Sequence, residues 1–149
     1  MRKLVIYTLL FFCHVIMAQS ASEAESLFNS KQYTKAKTMY EALLKRKPND
    51  ALNNYRLARC YYELNQYEDA VKYFERSGNR YTLKDYYLGD AYFHTYRFDL
   101  SVGAYQTFIA TLTPNDERLE ELNLKLKKSE LAARLLNRVE DIAIVDSQV

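Results

Sequence analysis

The chain has no tryptophan, and its 149 residues hold only three glycines, two prolines and two cysteines. Each scarcity excludes something. No Gly-rich phosphate loop occurs, and neither G-x-S-x-G nor H-E-x-x-H is present, so the usual hydrolase, nucleotide and metalloprotease signatures are missing. The two histidines are His14 and His94 and the two cysteines Cys13 and Cys60. Without the first eighteen residues, which read as a removable segment, only His94 and Cys60 are left, too few for a Cys/His zinc site. Prolines fall only at Pro48 and Pro114, which leaves long stretches free to be helical. The length suits one modest domain.

Residues 1–18 read as a segment apart. MRKLVIYTLLFFCHVIMAQ has a basic start at Arg2 and Lys3, an apolar run from Leu4 to Met17, and Ala18 before Gln19. That is the layout of a secretory signal peptide cleaved after Ala18. A bilayer span takes ~20 apolar residues, more than this run offers. Cys13 lacks the small-residue context of a lipoprotein signal, so no lipid anchor is expected. Of the 21 basic residues, two lie in this segment, and the rest equal the 19 acidic ones. A processed chain is therefore neutral, with no bulk attraction to nucleic acid or anionic membrane. It also keeps only Cys60 and can form no internal disulfide. The location expected of such an exported chain is the periplasm or outer membrane of a diderm bacterium.

What the chain does have is a repeat. Tyr33, Ala36 and Tyr40 return 34 residues later as Tyr67, Ala70 and Phe74, and after another 31 as Phe98, Ser101 and Tyr105. Independently, Leu57, Ala58 and Tyr61 return as Leu88, Gly89 and Tyr92. Within a unit, spacings of three and four set apolar residues on one helical stripe, as in Leu57, Tyr61 and Leu64, and Asn65-Gln66 interrupts before Tyr67 resumes it. The fold expected is all-α: about three helical hairpins over 19–139. After them, ERLEELNLKLKKSELAARLLNRV predicts one long capping helix with Leu119, Leu122, Leu126, Ala133 and Leu136 on a stripe. Thr113 as N-cap and Pro114 at the first helical position predict its start. Ile142 and Ile144 alternate in a β-branched stretch, which predicts an extended tail over 140–149.

These residues resemble the tetratricopeptide repeat, whose pattern of Leu-Gly, Tyr, then Ala-x3-Phe is kept at Leu57, Ala58, Tyr61, Ala70 and Phe74, and at Leu88, Gly89, Tyr92, Ser101 and Tyr105. The resemblance covers roughly Ser22–Asn115. It implies a solenoid of helical pairs whose first helices line a concave face. Tyr61, Tyr92, Tyr67, Phe74 and Phe98 are then inward-facing. Tyr55, Arg59, Tyr62 and Glu63 of one unit, and Tyr86, Asp90, Phe93 and His94 of the next, match positions that line that face. Tyrosine and arginine are common interface anchors, so these eight are the candidate partner-binding residues. Tyrosine is also often half-exposed with no ligand at all. The run Leu135–Ser147 is similar to the junction in exported bacterial proteins whose helical repeats precede a β-propeller, and a frayed terminus is the alternative.

The function expected is a non-catalytic scaffold or adaptor for a protein or peptide partner, with no cofactor, metal or nucleic acid and no transmembrane span after signal removal. The alternative is a structural N-terminal arm of a truncated β-propeller envelope protein. An enzyme built on Cys60 and His94 is the least favoured reading, since Cys60 is expected to pack as a small buried hydrophobe.

Overall fold

In the computed structural model the described residues are 20–146, with side chains described for 20–139, so the expected signal peptide at 1–18 lies outside them. The described residues form seven helices: α1 over 20–29, α2 (Tyr33–Arg46), α3 (Ala51–Glu63), α4 (Tyr67–Arg76), α5 (Lys84–His94), α6 (Phe98–Ile109) and α7 (Leu119–Asp146). The fold is all-α, as the hydrophobic periodicity predicts. The chain forms two compact units, one ending at Gly78 and one beginning at Asn79.

One turn is used three times. Lys31, Asn65 and Tyr96 adopt the left-handed conformation, with φ of 60°, 57° and 60°. In each case the next residue's N–H closes back on the preceding helix: Gln32 to the Leu27 carbonyl, Gln66 to Tyr61 and Arg97 to Tyr92, all at 2.9 Å. That six-residue closure is the Schellman ending of a helix. The same residues then accept the first bonds of the following helix, from the N–H of Ala36, Ala70 and Ser101 at 3.0 Å. The 34- and 31-residue spacings of the sequence thus reappear as backbone geometry. α3 starts differently: the Asp50 carboxylate accepts from the Asn53 N–H at 2.9 Å, a cap worth about 1 kcal/mol.

In the first unit, α3 packs on α2 on one side and α4 on the other. Ala36, Ala58 and Ala70 are fully buried at these contacts, which lets the helix axes approach. Tyr40, Leu57 and Phe74 fill the space between, each 2% exposed or less. Tyr61 stacks on Tyr73 with ring centroids 5.4 Å apart and donates its hydroxyl to Glu41 at 2.6 Å. Asn54, at the repeat's usual tryptophan position, is buried and bonds through Nδ2 to the carbonyls of Pro48 and Asp50. A side-chain amide here clamps the incoming loop where an indole would fill volume.

In the second unit, α6 packs on α5 and α7. Tyr105, Phe108 and Leu122 are the centre of its core, with Tyr86, Ile109, Leu112 and Leu126 packed around them. Ser101 has the small volume that the repeat needs, and it also bonds. Its hydroxyl lies 2.8 Å from the Gly89 carbonyl and 2.9 Å from the Ser129 hydroxyl, all in the interior.

Two boundaries differ from expectation. α7 begins at Leu119, not at Pro114. The Asp116 N–H bonds the Thr113 carbonyl and the Leu119 N–H bonds the Asp116 carbonyl, so two turns precede the helix. The Asp116 carboxylate holds the Arg118 N–H at 3.0 Å and its guanidinium at 2.8 and 2.7 Å, and these hydrogen bonds keep its pKa down at about 2. At the other end, the backbone stays helical through Asp146, so the extended tail expected over 140–149 is not found over 140–146, and 147–149 lie outside the described residues. Each residue added to an existing helix gains a hydrogen bond, whereas the penalty on a β-branched residue is only ~0.5 kcal/mol.

Candidate functional site

Of the four candidates on α3, Tyr55 belongs to the interior. It is 9% exposed, and its ring meets Phe74 of α4 at 6.0 Å. A tyrosine buried on the α4 side does not line an open face, which corrects the expectation for this residue. Arg59 and Glu63 pair one helical turn apart, with the guanidinium 2.9 Å from the carboxylate. The Arg59 guanidinium also sits 5.8 Å from the Phe28 ring of α1, whose face Arg56 covers at 4.8 Å. Tyr62 is half-buried edge-on against Tyr67 at 5.8 Å. Three of the four therefore stay at the surface of the first unit.

On α5 the outcome is similar. Tyr86 packs edge-on against Phe108 of α6 at 5.8 Å, and the Lys125 ammonium of α7 stands 5.2 Å from its ring. Its hydroxyl donates to Glu121 at 3.2 Å. Burial, followed by the nearby Asp90 and Glu121 carboxylates, raises the Tyr86 pKa against the opposing pull of Lys125. This residue joins three helices and stays partly exposed, as Tyr62 does.

Asp90, Phe93 and His94 do come together. With Tyr105, Lys125 and Lys128 they line an open depression of about 150 Å³ in the second unit. Asp90 is 7% exposed, accepts the Tyr105 hydroxyl and binds the Lys125 ammonium at 2.7 Å. Burial works to lower the Lys125 pKa, but the hydrogen bond and attraction of Asp90 outweigh it and leave it raised. The carboxylate at the floor is thus neutralised, and Lys128 and His94 stand exposed at the rim. Phe93 supplies an aromatic wall, held by Phe98 at 5.4 Å.

The sequence reading did not include Tyr105, Lys125 and Lys128 in the site. A signal existed: Lys125 lies 35 residues after Asp90 and Glu121 lies 35 after Tyr86, close to the repeat period. α7 thus takes the place of a first helix of a further unit.

Cys60 is fully buried. Burial pushes its thiol up to about 12 despite the nearby Arg59 and Arg56, so it stays protonated and unreactive at neutral pH. Among the described residues no cluster of three or more His, Cys, Asp or Glu side chains could hold a metal ion. None of their helices is long and apolar enough to cross a membrane.

Three hairpins with a shared turn, small residues at the helix crossings and a further first-helix element define a helical-repeat solenoid protein. The chain belongs to the tetratricopeptide repeat family, which matches it over residues 19–95. No curated protein matches it. Among solved structures it is similar to the first TPR of Spaghetti (RPAP3) bound to the HSP90 peptide SRMEEVD, at 20% identity, TM-score 0.64, and coverage of 79% of this chain and 93% of that one. It is similar to the Yersinia enterocolitica type III secretion chaperone SycD in complex with a peptide of the translocator YopD, at 15% identity, TM-score 0.63, and coverage of 78% and 93%. It is also similar to the Sgt2 TPR domain from Aspergillus fumigatus, at 21% identity, TM-score 0.61, and coverage of 82% of each. At such identities the likeness concerns the fold.

Proposed function

We propose that this chain is a non-catalytic interaction module that binds a segment of a protein partner through exposed residues of its first helices. The observation that carries this reading is the depression lined by Asp90, Phe93, His94, Tyr105, Lys125 and Lys128. Its floor carboxylate is satisfied internally, its wall is aromatic and its rim is cationic. It can take an apolar side chain against Phe93 beside an acidic one at Lys128. The similar structures of Spaghetti and SycD, each with a bound peptide, support the same class of ligand. Arg59, Tyr62 and Glu63 occupy the repeat-equivalent positions on α3 and are the candidate surface residues of the first unit.

The experiment is capture from the native envelope with purified protein, followed by identification of bound chains. Phe93→Ala with Lys128→Glu is expected to lose the principal partner while helical circular dichroism is unchanged. Capture of the same chains by the double variant would sink the reading.

The layout of residues 1–18 supports a place in the cell envelope. N-terminal sequencing of the protein recovered from a periplasmic fraction is expected to begin at Gln19. Recovery from the cytoplasm with Met1 intact would remove the envelope from the proposal. The resemblance of Leu135–Ser147 to a propeller junction favours a second reading, a structural arm, which translation of the gene beyond Val149 tests directly.

A further inference from the structure

The two sides of α7 differ in what covers them. Leu122 and Ser129 are fully buried and Ala133 nearly so on the side that meets α6. Leu124, Leu131, Leu135 and Val139 are 55%, 52%, 52% and 63% exposed. At about 100° per residue the three leucines fall roughly 180–220° round the helix from Leu122, so they form a second stripe opposite the first. Leu124, Lys128, Leu131 and Leu135 follow one another at intervals of four, three and four, the seam spacing of a coiled coil. Exposed apolar area on this stripe is on the order of 400 Å², the size that marks an interaction surface on a monomer.

The charges beside the stripe are polarised. Glu117, Glu120 and Glu121 stand at its first end, and Lys127, Lys128, Arg134 and Arg138, all exposed, predominate over the rest, with the part-buried Glu130 near Arg134. Glu120 and Arg138 are roughly 27 Å apart along the axis, beyond the ~8–10 Å range of charge interactions in salt, so these two cannot neutralise each other within one helix. A uniformly anionic surface would suit the basic end and repel the acidic one. A second copy running antiparallel matches both ends at once.

We propose that this outer face of α7 is a homodimer interface, an antiparallel α7–α7 pairing about a two-fold axis. Each α7 supplies the other with a second covering helix, as α4 does for α3. The register that sets Leu124 opposite Leu135 of the second copy also brings Glu120 against its Arg138, on the same side of the seam, twice per dimer. Lys128, which also lines the depression, enters the seam beside Leu131 of the second copy, so pairing competes with partner binding at that rim, and a lone lysine fixes register at some loss of affinity. Lys127 and Arg134 meet across the same seam, and this like-charge contact weakens the pairing.

Sedimentation equilibrium of the purified protein over about 10–300 µM tests the pairing. The expected result is a reversible monomer–dimer equilibrium. Leu131→Glu with Leu135→Glu is expected to give a monomer with unchanged helical circular dichroism. Glu120→Arg alone and Arg138→Glu alone are each expected to weaken the dimer about tenfold, and the two together to restore it. Three results would overturn the proposal: a monomer throughout the range, a dimer indifferent to the leucine changes, or a double charge swap that fails to restore association. Binding to phosphatidylglycerol vesicles without self-association would also overturn it, because the face would then be a lipid surface.

Discussion

The Tyr105 ring of α6 lies directly against Gly89 of α5: a Cβ added at Gly89 would stand 2.9 Å from two of its ring carbons. Tyr105 cannot simply swing aside, since it is 1% exposed and its hydroxyl is bound by Asp90. Gly89→Ala is therefore expected to cost ~1–3 kcal/mol and to lower the melting temperature by several degrees, with Gly89→Leu worse. Thermal unfolding followed at 222 nm checks this, and an unchanged melting curve for Gly89→Ala would contradict the close approach. Gly103, with open space around it, is the control: Gly103→Ala is expected to be neutral or stabilising.

Ser101 and Ser129 are coupled through a buried hydroxyl pair between α6 and α7. Ser101 donates to the Gly89 carbonyl at 2.8 Å, so its contact with Ser129 requires Ser129 to be the donor, in competition with the Lys125 carbonyl at 3.1 Å. Ser101→Ala and Ser129→Ala are each expected to cost ~1 kcal/mol. Because each single change strands part of one network, the double variant should cost less than the two added together. Urea titrations of the four proteins close the cycle, and strict additivity would show the hydroxyls to be independent.

Tyr55 and Tyr62 lie on the same helix in different surroundings. Tyr55→Ala removes a buried ring packed on Phe74 and is expected to cost ~3 kcal/mol. Tyr62→Ala, at a half-buried edge, is expected to cost under about 1 kcal/mol and to act on partner capture instead. Denaturation midpoints of the two variants separate these roles. Equal loss of stability would return Tyr62 to the core.

Cys60 links stability to alkaline pH. Its thiol titrates near 8.5 in an unfolded chain and at about 12 in the folded one, so the folded state holds the proton more tightly. The resulting stabilisation is complete below about pH 8.5 and declines as pH rises from there toward 12. Tyr33, Tyr40, Tyr61 and Tyr86 are raised as well, mainly by burial, and because tyrosine in an unfolded chain begins to ionise about one unit below 10 they add to the decline from about pH 9 upward. From about pH 8.5 to 9 the slope belongs chiefly to Cys60. Cys60→Ala is expected to flatten it there, and a slope identical to that of the unaltered protein would exclude the thiol as its source.

The repeat could be read from residue order because its causes are local. Tyr33–Ala36–Tyr40 and its two echoes encode a stripe within a single helix, and Ala58, Ala70 and Ser101 keep their small volume wherever the neighbouring helix falls. The turn residues were less visible. Lys31, Asn65 and Tyr96 share a left-handed conformation with no side-chain feature in common, because hydrogen bonds on either side impose it on the backbone. Helix ends misled for a related reason. Thr113-Pro114 has the composition of a start, yet Asp116 bonds Arg118 and delays the helix to Leu119.

The candidate surface was half legible. Tyrosine is apolar in body and polar at its tip, so position in a repeat did not reveal that Tyr55 is packed while Tyr62 and Tyr86 are half-open. Asp90 matches a face-lining position of the repeat, but its fate depends on Tyr105 and on Lys125, 15 and 35 residues away. No pattern within α5 contains that information.

Residue order by itself determined the hairpins, their period and the points where helices come close, since a stripe at 3.6-residue spacing and a missing side chain act over one or two turns. Only the tertiary structure decided which aromatics are sealed in, which carboxylate is neutralised and which side of α7 is left bare. Those outcomes depend on what arrives from a distant helix, and burial is a property of the pair of surfaces that meet.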